Sequence, residues 1–294
     1  MALSMLRSNT LRLARPSVSQ VFLNDRNGLR NGWWLAIFLG VLAALLFGTI
    51  LVSAQTGHEI SVWEQAGLIA VATAVVQLLR RKPIAEVTGA LNGRALRDVA
   101  VGLCAGFVLM AVPACLLWLS DIVRLDLASA DLRSCLTATG MMLGVAVAEE
   151  LLFRGVLFQR LVAGAGVWVA QLVVGAFFVL THLQNPGMNG TTQLWAGLNI
   201  FIASLVFGQA YLRTGGLALP IAIHFMANVT QGILFGFGVT GYAEPSVLRP
   251  TFNLQADWLT GGDFGIEASL LGLIAITVLL VGLYIWNPKG EGTR

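Results

Sequence analysis

Charged residues are scarce in this chain of 294 residues: Asp, Glu, Lys and Arg together make up only 11% of it. A soluble globular domain typically carries about 25% of these residues. Hydrophobic residues make up 56%, and nearly uncharged runs recur along the whole length. Because about 20 apolar residues are enough to cross a bilayer core, the sequence predicts a polytopic integral membrane protein.

Cysteine is also rare, and its placement argues against two kinds of site. The three cysteines, Cys104, Cys115 and Cys135, lie within or beside apolar runs. An odd number without paired spacing argues against a disulfide framework and against a cysteine-based zinc site. The sequence also shows no internal repeat, coiled-coil heptad or second domain.

The excess of positive charge is small, at +3, and it is not arranged for nucleic acid. Basic residues cluster beside the apolar runs, which is the distribution that orients membrane proteins. We therefore expect the lipid bilayer, and no nucleic acid, as a partner.

The apolar runs predict an all-α fold, a polytopic transmembrane helical bundle of about eight spans. A basic N-terminal tail at 1–32 precedes a transmembrane domain at 33–286, and a C-terminal tail follows at 287–294. Residues 52–54 look faintly like a signal-peptidase site, but the stretch before them is longer than a signal h-region, so we favour an uncleaved first helix. The predicted spans are 33–54, 62–79, 99–120, 136–158, 167–184, 194–212, 217–235 and 266–286.

The basic residues predict the orientation of this bundle. Fourteen of the 18 Lys and Arg residues fall on the side of the N-terminus, three fall on the opposite side, and Arg154 lies inside a span. Under the positive-inside rule both termini are then cytoplasmic. The polar segment 82–98 would lie at the membrane interface, and the segment 236–264 would be an external loop. We expect the bacterial inner membrane as the location.

The fourth span contains Glu149, Glu150 and Arg154. Ionisable groups within spans are costly and usually mark a function. Glu150 and Arg154 are four residues apart with the acid first, the favoured order for a helical ion pair. Glu149 projects about 100° away on the helix and stays free for proton transfer. The alternative is a purely structural ion pair with Glu149 at the membrane edge.

Two of the three histidines also lie inside spans. His182 shares a helix face with Phe178, and His224 shares one with Asn228, because residues four apart lie on the same side of a helix. A lone histidine in an apolar helix is more often a hydrogen-bonded core residue than a catalyst. Two of them together with a glutamate pair favour an active site.

The lengths of the helices place Glu149 and His182 at a similar depth. Each is 16 or 17 residues from a turn at 163–166, or about 24 Å by the helical rise. His224 is about nine residues from the next turn, so the depths agree only if the first hairpin projects into the cytoplasm by about two turns. The polar residues near the tip of that hairpin are Gln159 and Arg160.

Three motifs occur in order on separate spans: E-E-x-x-x-R at 149–154, F-x-x-x-H at 178–182 and H-x-x-x-N at 224–228. Together they resemble the CPBP family of intramembrane proteases, which includes the CAAX prenyl endopeptidases and the bacterial lysostaphin-resistance and bacteriocin-processing proteins of the ABI group. The resemblance covers a core at about 99–235. It implies hydrolysis of a peptide bond in a membrane-associated protein or peptide, and leaves open whether that substrate is prenylated.

The resemblance also implies a role for each motif residue. Glu149 with His182 would activate water, and His224 with Asn228 would stabilise the tetrahedral oxyanion. Donors held in place at a developing oxyanion contribute about 10²–10³ in rate each. The remaining motif residues, which would complete and support the site, are Glu150, Arg154 and Phe178.

Two chemistries remain open for these residues. Glu149, His182 and His224 could form a His₂Glu zinc site with an open fourth position, or could activate water without a metal. The contiguous H-E-x-x-H helix of many zinc proteases is absent, and Asn228 is a poor zinc ligand but a good oxyanion donor. We therefore favour a mechanism without a cofactor and keep zinc as the alternative.

Two other functions compete with the protease. One is a non-proteolytic membrane immunity or scaffold protein of the same fold, against which the intact motif set argues. The other is a transporter or proton relay, which would also use Glu, His and Arg within spans. Inverted repeats and paired broken helices, the usual signs of a transporter, are not visible in the sequence.

Overall fold

The computed structural model of the protein describes residues 22–23 and 28–286. The tails predicted at 1–32 and 287–294 therefore lie almost wholly outside the described residues. Two segments, Phe153–Leu157 and Val229–Leu234, are π-helical turns. The α-helices are α1 (Asn31–Thr56), α2 (Val62–Arg80), α3 (Ala85–Thr88), α4 (Gly93–Leu119), α5 (Leu132–Leu152), α6 (Phe158–Ala165), α7 (Val167–His182), α8 (Gly190–Thr214), α9 (Ala218–Asn228), α10 (Asp257–Thr260) and α11 (Leu270–Ile285).

Four of these helices, α1, α2, α4 and α8, are long and apolar enough to cross a membrane. Shorter apolar helical segments occupy Val167–His182, Ala218–Leu234 and Leu270–Ile285. Each predicted span coincides with helical structure, so the prediction of an all-α membrane bundle is confirmed. The protein is an integral membrane protein. The cytoplasmic placement of its termini stays a prediction.

The third span begins earlier than the sequence predicts. α4 begins at Gly93 rather than near residue 99, because the side chain of Asn92 accepts hydrogen bonds from the backbone N–H groups of Arg94 and Ala95, at 3.0 and 3.2 Å. Such a cap satisfies amides that no preceding turn can serve. The last part of the polar segment 82–98 therefore belongs to a long apolar helix.

The helix that carries His224 packs directly on α4. Two glycines of α4 permit this approach: a Cβ on Gly102 would lie 2.6 Å from Cβ of Ala222, and one on Gly106 would lie 2.4 Å from the carbonyl oxygen of Ile223. Small residues at a helix crossing allow two backbones to come close within a membrane. The glycines of α4 thus fix where α9 presents its histidine.

A polar residue of the α6–α7 hairpin makes a packed contact, although the turn of the hairpin at 163–166 is exposed. Gln159 is only 7% exposed. Its Nε2 donates to the carbonyl oxygens of Val87 and Arg154, at 2.9 and 3.1 Å. The expectation of a polar tip in solvent is therefore wrong for Gln159, because α3 folds back against this end of the hairpin.

The segment that the sequence predicts to be an external loop contributes one strand of a small sheet, which the sequence did not predict. β1 (Val123–Leu127), which follows α4, pairs antiparallel with β2 (Leu248–Phe252). Pro250 is tolerated because both strands are edge strands. The sheet ties the predicted external loop at 236–264 to the end of α4, and the chain then returns to the bundle through α10 and α11.

Candidate active site

Glu150 and Arg154 form a fully buried ion pair at the end of α5. Neither side chain has exposed surface, and Nη1 of Arg154 lies 3.3 Å from Oε1 of Glu150. The same oxygen lies 3.0 Å from Nδ1 of His224, which donates to it from α9. One carboxylate therefore joins the end of α5 to α9, and the ion pair expected from the four-residue spacing is part of a larger cluster.

The charge of Arg154 is compensated from several sides. Its Nη2 donates to the carbonyl oxygen and the hydroxyl of Ser204 on α8, at 3.0 and 2.8 Å. The rings of Phe153, Phe178 and Phe207 have their centroids 5.7, 5.0 and 5.1 Å from its Cζ. Such rings attract a cation, and more strongly where water is excluded. This guanidinium therefore holds its acidic partner in place and is not open to a substrate.

The helix changes its winding directly after the two glutamates. Arg154 lies within the π-helical turn Phe153–Leu157, in which Gly155 adopts a non-helical ψ of −130°. Such turns are rare and are frequently found at functional sites. In this position the irregular turn carries the guanidinium of Arg154 against α8.

The ring of His224 lies between the two glutamates. While Nδ1 contacts Glu150, Nε2 lies 3.9 Å from Oε2 of Glu149. Phe207 stacks on the ring, with centroids 4.9 Å apart and planes inclined by 13°. In the described part of the chain, Oε2 of each glutamate is buried without a hydrogen-bond partner. Of the two glutamates, only Glu149 has an exposed side-chain surface: its side chain is 27% exposed, whereas that of Glu150 is fully buried.

His182 is oriented by its own helix. Its Nδ1 lies 2.7 Å from the carbonyl oxygen of Phe178, and because a carbonyl only accepts, Nδ1 carries the proton and Nε2 is left as the acceptor of the neutral ring. Among the described residues, His182 makes no direct hydrogen bond or ion pair with Glu149 or His224. A series of ring contacts connects the two histidines instead. The ring centroids lie 4.7 Å apart for His182 and Phe178, 6.5 Å apart for Phe178 and Phe207, and 4.9 Å apart for Phe207 and His224.

A cavity of about 50 Å³ lies against this cluster. One water needs roughly 10–15 Å³ of such space, so the cavity is large enough for a few waters. Asn228 lines it, and the side-chain amide of Asn228 has no hydrogen-bond partner within the described ranges. The polar and aromatic residues that line it are Phe178, Asn199, Phe207, His224, Asn228, Thr240 and Glu267.

The zinc alternative can be compared with this geometry. In residues 22–23 and 28–286, no group of three His, Cys, Asp or Glu side chains is arranged to hold a metal ion. Glu149, His182 and His224 therefore do not form a ready ligand set, and no step of the mechanism is assigned to a metal. Metal dependence itself stays a prediction.

Three residues of the cluster did not emerge from the sequence. Ser204 and Phe207 lie on α8, a span in which no motif residue directs attention to them. Glu267 was detectable in principle, as an acid at the start of the last predicted span. The contacts that make these residues part of the site run between helices, and single-sequence spacing does not report such contacts.

Residues 131–230 match the family model described as type II CAAX prenyl endopeptidase Rce1-like. The matched segment begins at the N-cap of α5 and ends within the π-helical turn after α9. It therefore contains all three motifs and both helices joined by the Glu150–His224 hydrogen bond.

Curated proteins with similar sequences come from bacteria and an archaeon. The chain is 33% identical over 90 residues to an uncharacterised 24.3-kDa protein of Escherichia coli, covering 30% of this chain and 38% of that protein. It is 26% identical over 151 residues to protein YyaK of Bacillus subtilis, covering 50% and 46%. It is 28% identical over 120 residues to CAAX prenyl protease 2 of Methanococcus maripaludis, covering 37% and 44%.

The chain thus spans less than half the length of these relatives. The family model nevertheless covers the segment that holds the buried Glu–Arg–His cluster. Over residues 131–230 the protein is therefore similar to the CPBP family of membrane proteins, which includes the type II CAAX prenyl endopeptidases.

Proposed function

We propose that this protein is an intramembrane endopeptidase that hydrolyses a peptide bond of a membrane-associated protein or peptide, in the manner of CAAX processing. The observation that carries the proposal is the difference between two adjacent glutamates. Glu150 is fully buried and shared by Arg154 and His224, whereas Glu149 is partly exposed and its Oε2 lies 3.9 Å from His224. A structural ion pair alone does not require the second acid.

In the proposed reaction Glu149 removes a proton from water, with His182 as the second group that orients this water. The accepting Nε2 of His182 suits that role, because Nδ1 is already occupied by the carbonyl of Phe178. A general base acts directly or through one water and contributes about 10²–10⁴ in rate. The attacking oxygen then bonds to the carbonyl carbon of the scissile peptide.

The tetrahedral oxyanion would be stabilised by His224 and Asn228. To donate to an oxyanion, Nε2 of His224 must carry a proton, and Glu150 at Nδ1 together with Glu149 near Nε2 compensates the resulting positive charge. Asn228 supplies a neutral amide donor that lines the same cavity. Donors fixed in advance of the reaction, at a site of low dielectric, are the most effective kind.

The substrate class follows from the family rather than from the cavity. One relative is named CAAX prenyl protease 2, so we propose a lipid-modified or otherwise membrane-bound polypeptide as the substrate. Prenylation of that substrate is left open, and the assay needs a prenylated peptide together with its unprenylated counterpart.

The experiment that tests this function compares new polypeptide termini in membranes from cells that express the wild type or Glu149→Gln. Hydrolysis predicts termini that appear only with the wild type, and these would name the substrate and its cleavage position. A non-proteolytic immunity or scaffold protein of the same fold predicts no such termini and an unchanged phenotype in Glu149→Gln.

A further inference from the structure

A third acid, Glu267, lies beside the candidate site and has no part in the chemistry described above. It belongs to the short 3-10 turn Ile266–Ala268, which precedes α11. Glu267 lines the same cavity as His224 and Asn228, and Thr240 lines it as well. The chain thus re-enters the helical bundle at an acid that lines the cavity beside His224 and Asn228.

Glu267 is anchored through one oxygen. Its Oε1 accepts hydrogen bonds from the backbone N–H of Thr240 and from Nε2 of Gln231, the latter at 3.2 Å. Gln231 is buried, and the same Nε2 donates to the carbonyl oxygen of Gly238 at 2.6 Å. Over the described ranges, Oε2 of Glu267 has no hydrogen-bond partner. The carboxyl is therefore fixed in orientation, with one oxygen available to cavity water.

The electrostatic surroundings of Glu267 suit proton exchange. Burial raises the pKa of its carboxyl to about 7, although the N–H of Thr240 and the amide of Gln231 favour the charged form. Two charged groups of the cluster also act on it: His224 on α9 lowers the pKa, and Glu149 on α5 raises it. The sequence predicts the last span from residue 266, but α11 begins at Leu270, so Glu267 precedes this helix. Near neutral pH both of its protonation states are populated.

We propose that Glu267 donates, through water in the cavity it shares with His224 and Asn228, the proton that the leaving amine requires. The proposal rests on the peptide hydrolysis proposed above, and it gives the reaction a proton donor separate from its base. Geometry supports it, because Glu267 is the one acid among the described residues that lines this cavity, together with His224 and Asn228.

The protons and bonds of the step balance. Glu149 takes one proton from water while the water oxygen bonds to the carbonyl carbon. The C–N bond then breaks, and the leaving nitrogen takes a proton from Glu267 through cavity water. Transfer of the proton on Glu149 to Glu267 restores both carboxyls, so that one water is consumed and one acid and one amine are formed.

Glu267→Gln separates proton donation from anchoring. A glutamine keeps an oxygen that can accept from Thr240 and Gln231, but it has no acidic proton. Glu267→Ala removes both properties. Glu244→Gln is the matched control, because Glu244 is a partly buried acid of the same external segment that does not line the cavity.

Infrared difference spectra of the purified protein across neutral pH give a readout that needs no substrate. We expect a protonated-carboxyl band that titrates near pH 7 in the wild type and in Glu244→Gln, and that is absent in Glu267→Gln. In Glu149→Gln the band should titrate at lower pH, because a neighbouring anion has been removed. A titrating band that persists in Glu267→Gln overturns the proposal.

Turnover of an internally quenched farnesylated CAAX peptide in liposomes gives the second readout. We expect Glu267→Gln to lower kcat about 100-fold with unchanged thermal stability. In the wild type kcat should fall as pH rises through about 7, because the donor must be protonated, and Glu267→Gln should lack this limb. A wild-type kcat and pH profile in Glu267→Gln overturns the proposal, even if Glu267→Ala is impaired.

Failure of the underlying function gives a different result. If peptide hydrolysis is not the activity, Glu149→Gln behaves as the wild type in every cleavage assay. If hydrolysis is the activity and only the role of Glu267 is wrong, Glu149→Gln is inactive while Glu267→Gln keeps the wild-type rate and infrared titration.

Discussion

Oε1 of Glu150 accepts a hydrogen bond from Nδ1 of His224 at 3.0 Å, across the interface between α5 and α9. The bond orients the imidazole so that Nε2 lies 3.9 Å from Glu149. Because the same oxygen also receives Arg154 at 3.3 Å, a change at Glu150 disturbs the ion pair and the ring together. A change at Glu149 disturbs neither, and the two glutamates can be separated by experiment.

Glu150→Gln should destabilise the protein. It leaves Arg154 without a compensating charge at a site with no exposed surface, and breaking one partner of a buried ion pair typically costs about 3–5 kcal/mol. Thermal unfolding in detergent should show the loss. Arg154→Met combined with Glu150→Gln should recover part of it, because the double change removes both charges.

Glu149→Gln is the control for this prediction, since it has nearly the same shape and keeps the Glu150–Arg154 pair. We expect it to fold and insert as the wild type does. A well-folded Glu150→Gln next to an unstable Glu149→Gln would show that the two roles are assigned in reverse.

The local part of this site was predictable from the sequence. The spacing of Glu150 and Arg154 predicts a helical ion pair, and the structure has it at 3.3 Å, because both residues lie on one helix with a known geometry. For the same reason the shared faces of Phe178 with His182 and of His224 with Asn228 follow from helical periodicity. Apolar run length likewise predicts the helices of the bundle.

The contacts between helices were not predictable in this way. The hydrogen bond from His224 to Glu150 joins residues 74 positions apart, and the position of Ser204 against Arg154 depends on how α8 packs. Gln159 is polar and near a turn, which suggests exposure, yet it is buried because α3 supplies a carbonyl acceptor. The placement of Glu267 depends in the same way on the path of the external segment.

Gly106→Ala should impair the site from a distance. The added Cβ would lie 2.4 Å from the carbonyl oxygen of Ile223, so α9 must move and carry its histidine away from the glutamates. Overpacking of this kind costs about 1–3 kcal/mol, and activity should fall further than stability alone explains. Thermal unfolding and turnover of the purified variant measure the two effects.

Gly140→Ala is the matched control for this helix-crossing prediction. Gly140 is also a helical glycine, on α5, and its added Cβ would meet nothing within 4 Å. Wild-type behaviour of Gly106→Ala, or equal damage by both variants, would contradict the close α4–α9 crossing.

Stability should depend on pH through Glu86 of α3. Burial alone would raise the pKa of this carboxyl, but hydrogen bonds from Arg80 and Gln77 and the charge of Arg160 outweigh it and hold the pKa below its usual range. A lowered folded-state pKa contributes stability that is present above the unfolded value and lost as pH falls through the folded value. The unfolded value for glutamate is about 4.3.

The difference in Tm between the wild type and Glu86→Gln should therefore be constant near neutral pH and should shrink below about pH 4. Tm measured across a series of buffers tests this. A difference that grows on acidification would show that the Arg80–Glu86 contact, at 2.8 Å, does not stabilise the fold.

Removal of metal should leave activity intact. Across the described residues no group of His, Cys, Asp or Glu side chains is arranged as a metal site, and we assign proton abstraction to Glu149 without a metal. Turnover after exhaustive chelation should equal that of the untreated protein, with far less than one zinc per chain. Activity that disappears with chelator and returns with stoichiometric zinc would establish the metalloprotease alternative.

The central claim is that Glu149 carries water-dependent cleavage of a peptide bond. The most direct measurement is the initial rate at which the purified protein, in liposomes and in ¹⁸O-labelled water, cleaves a farnesylated CAAX peptide and its unprenylated counterpart. We predict cleavage at an internal bond, with ¹⁸O in the new carboxyl terminus and a rate at least about 100-fold lower in Glu149→Gln. Equal rates for the wild type and Glu149→Gln would contradict the account.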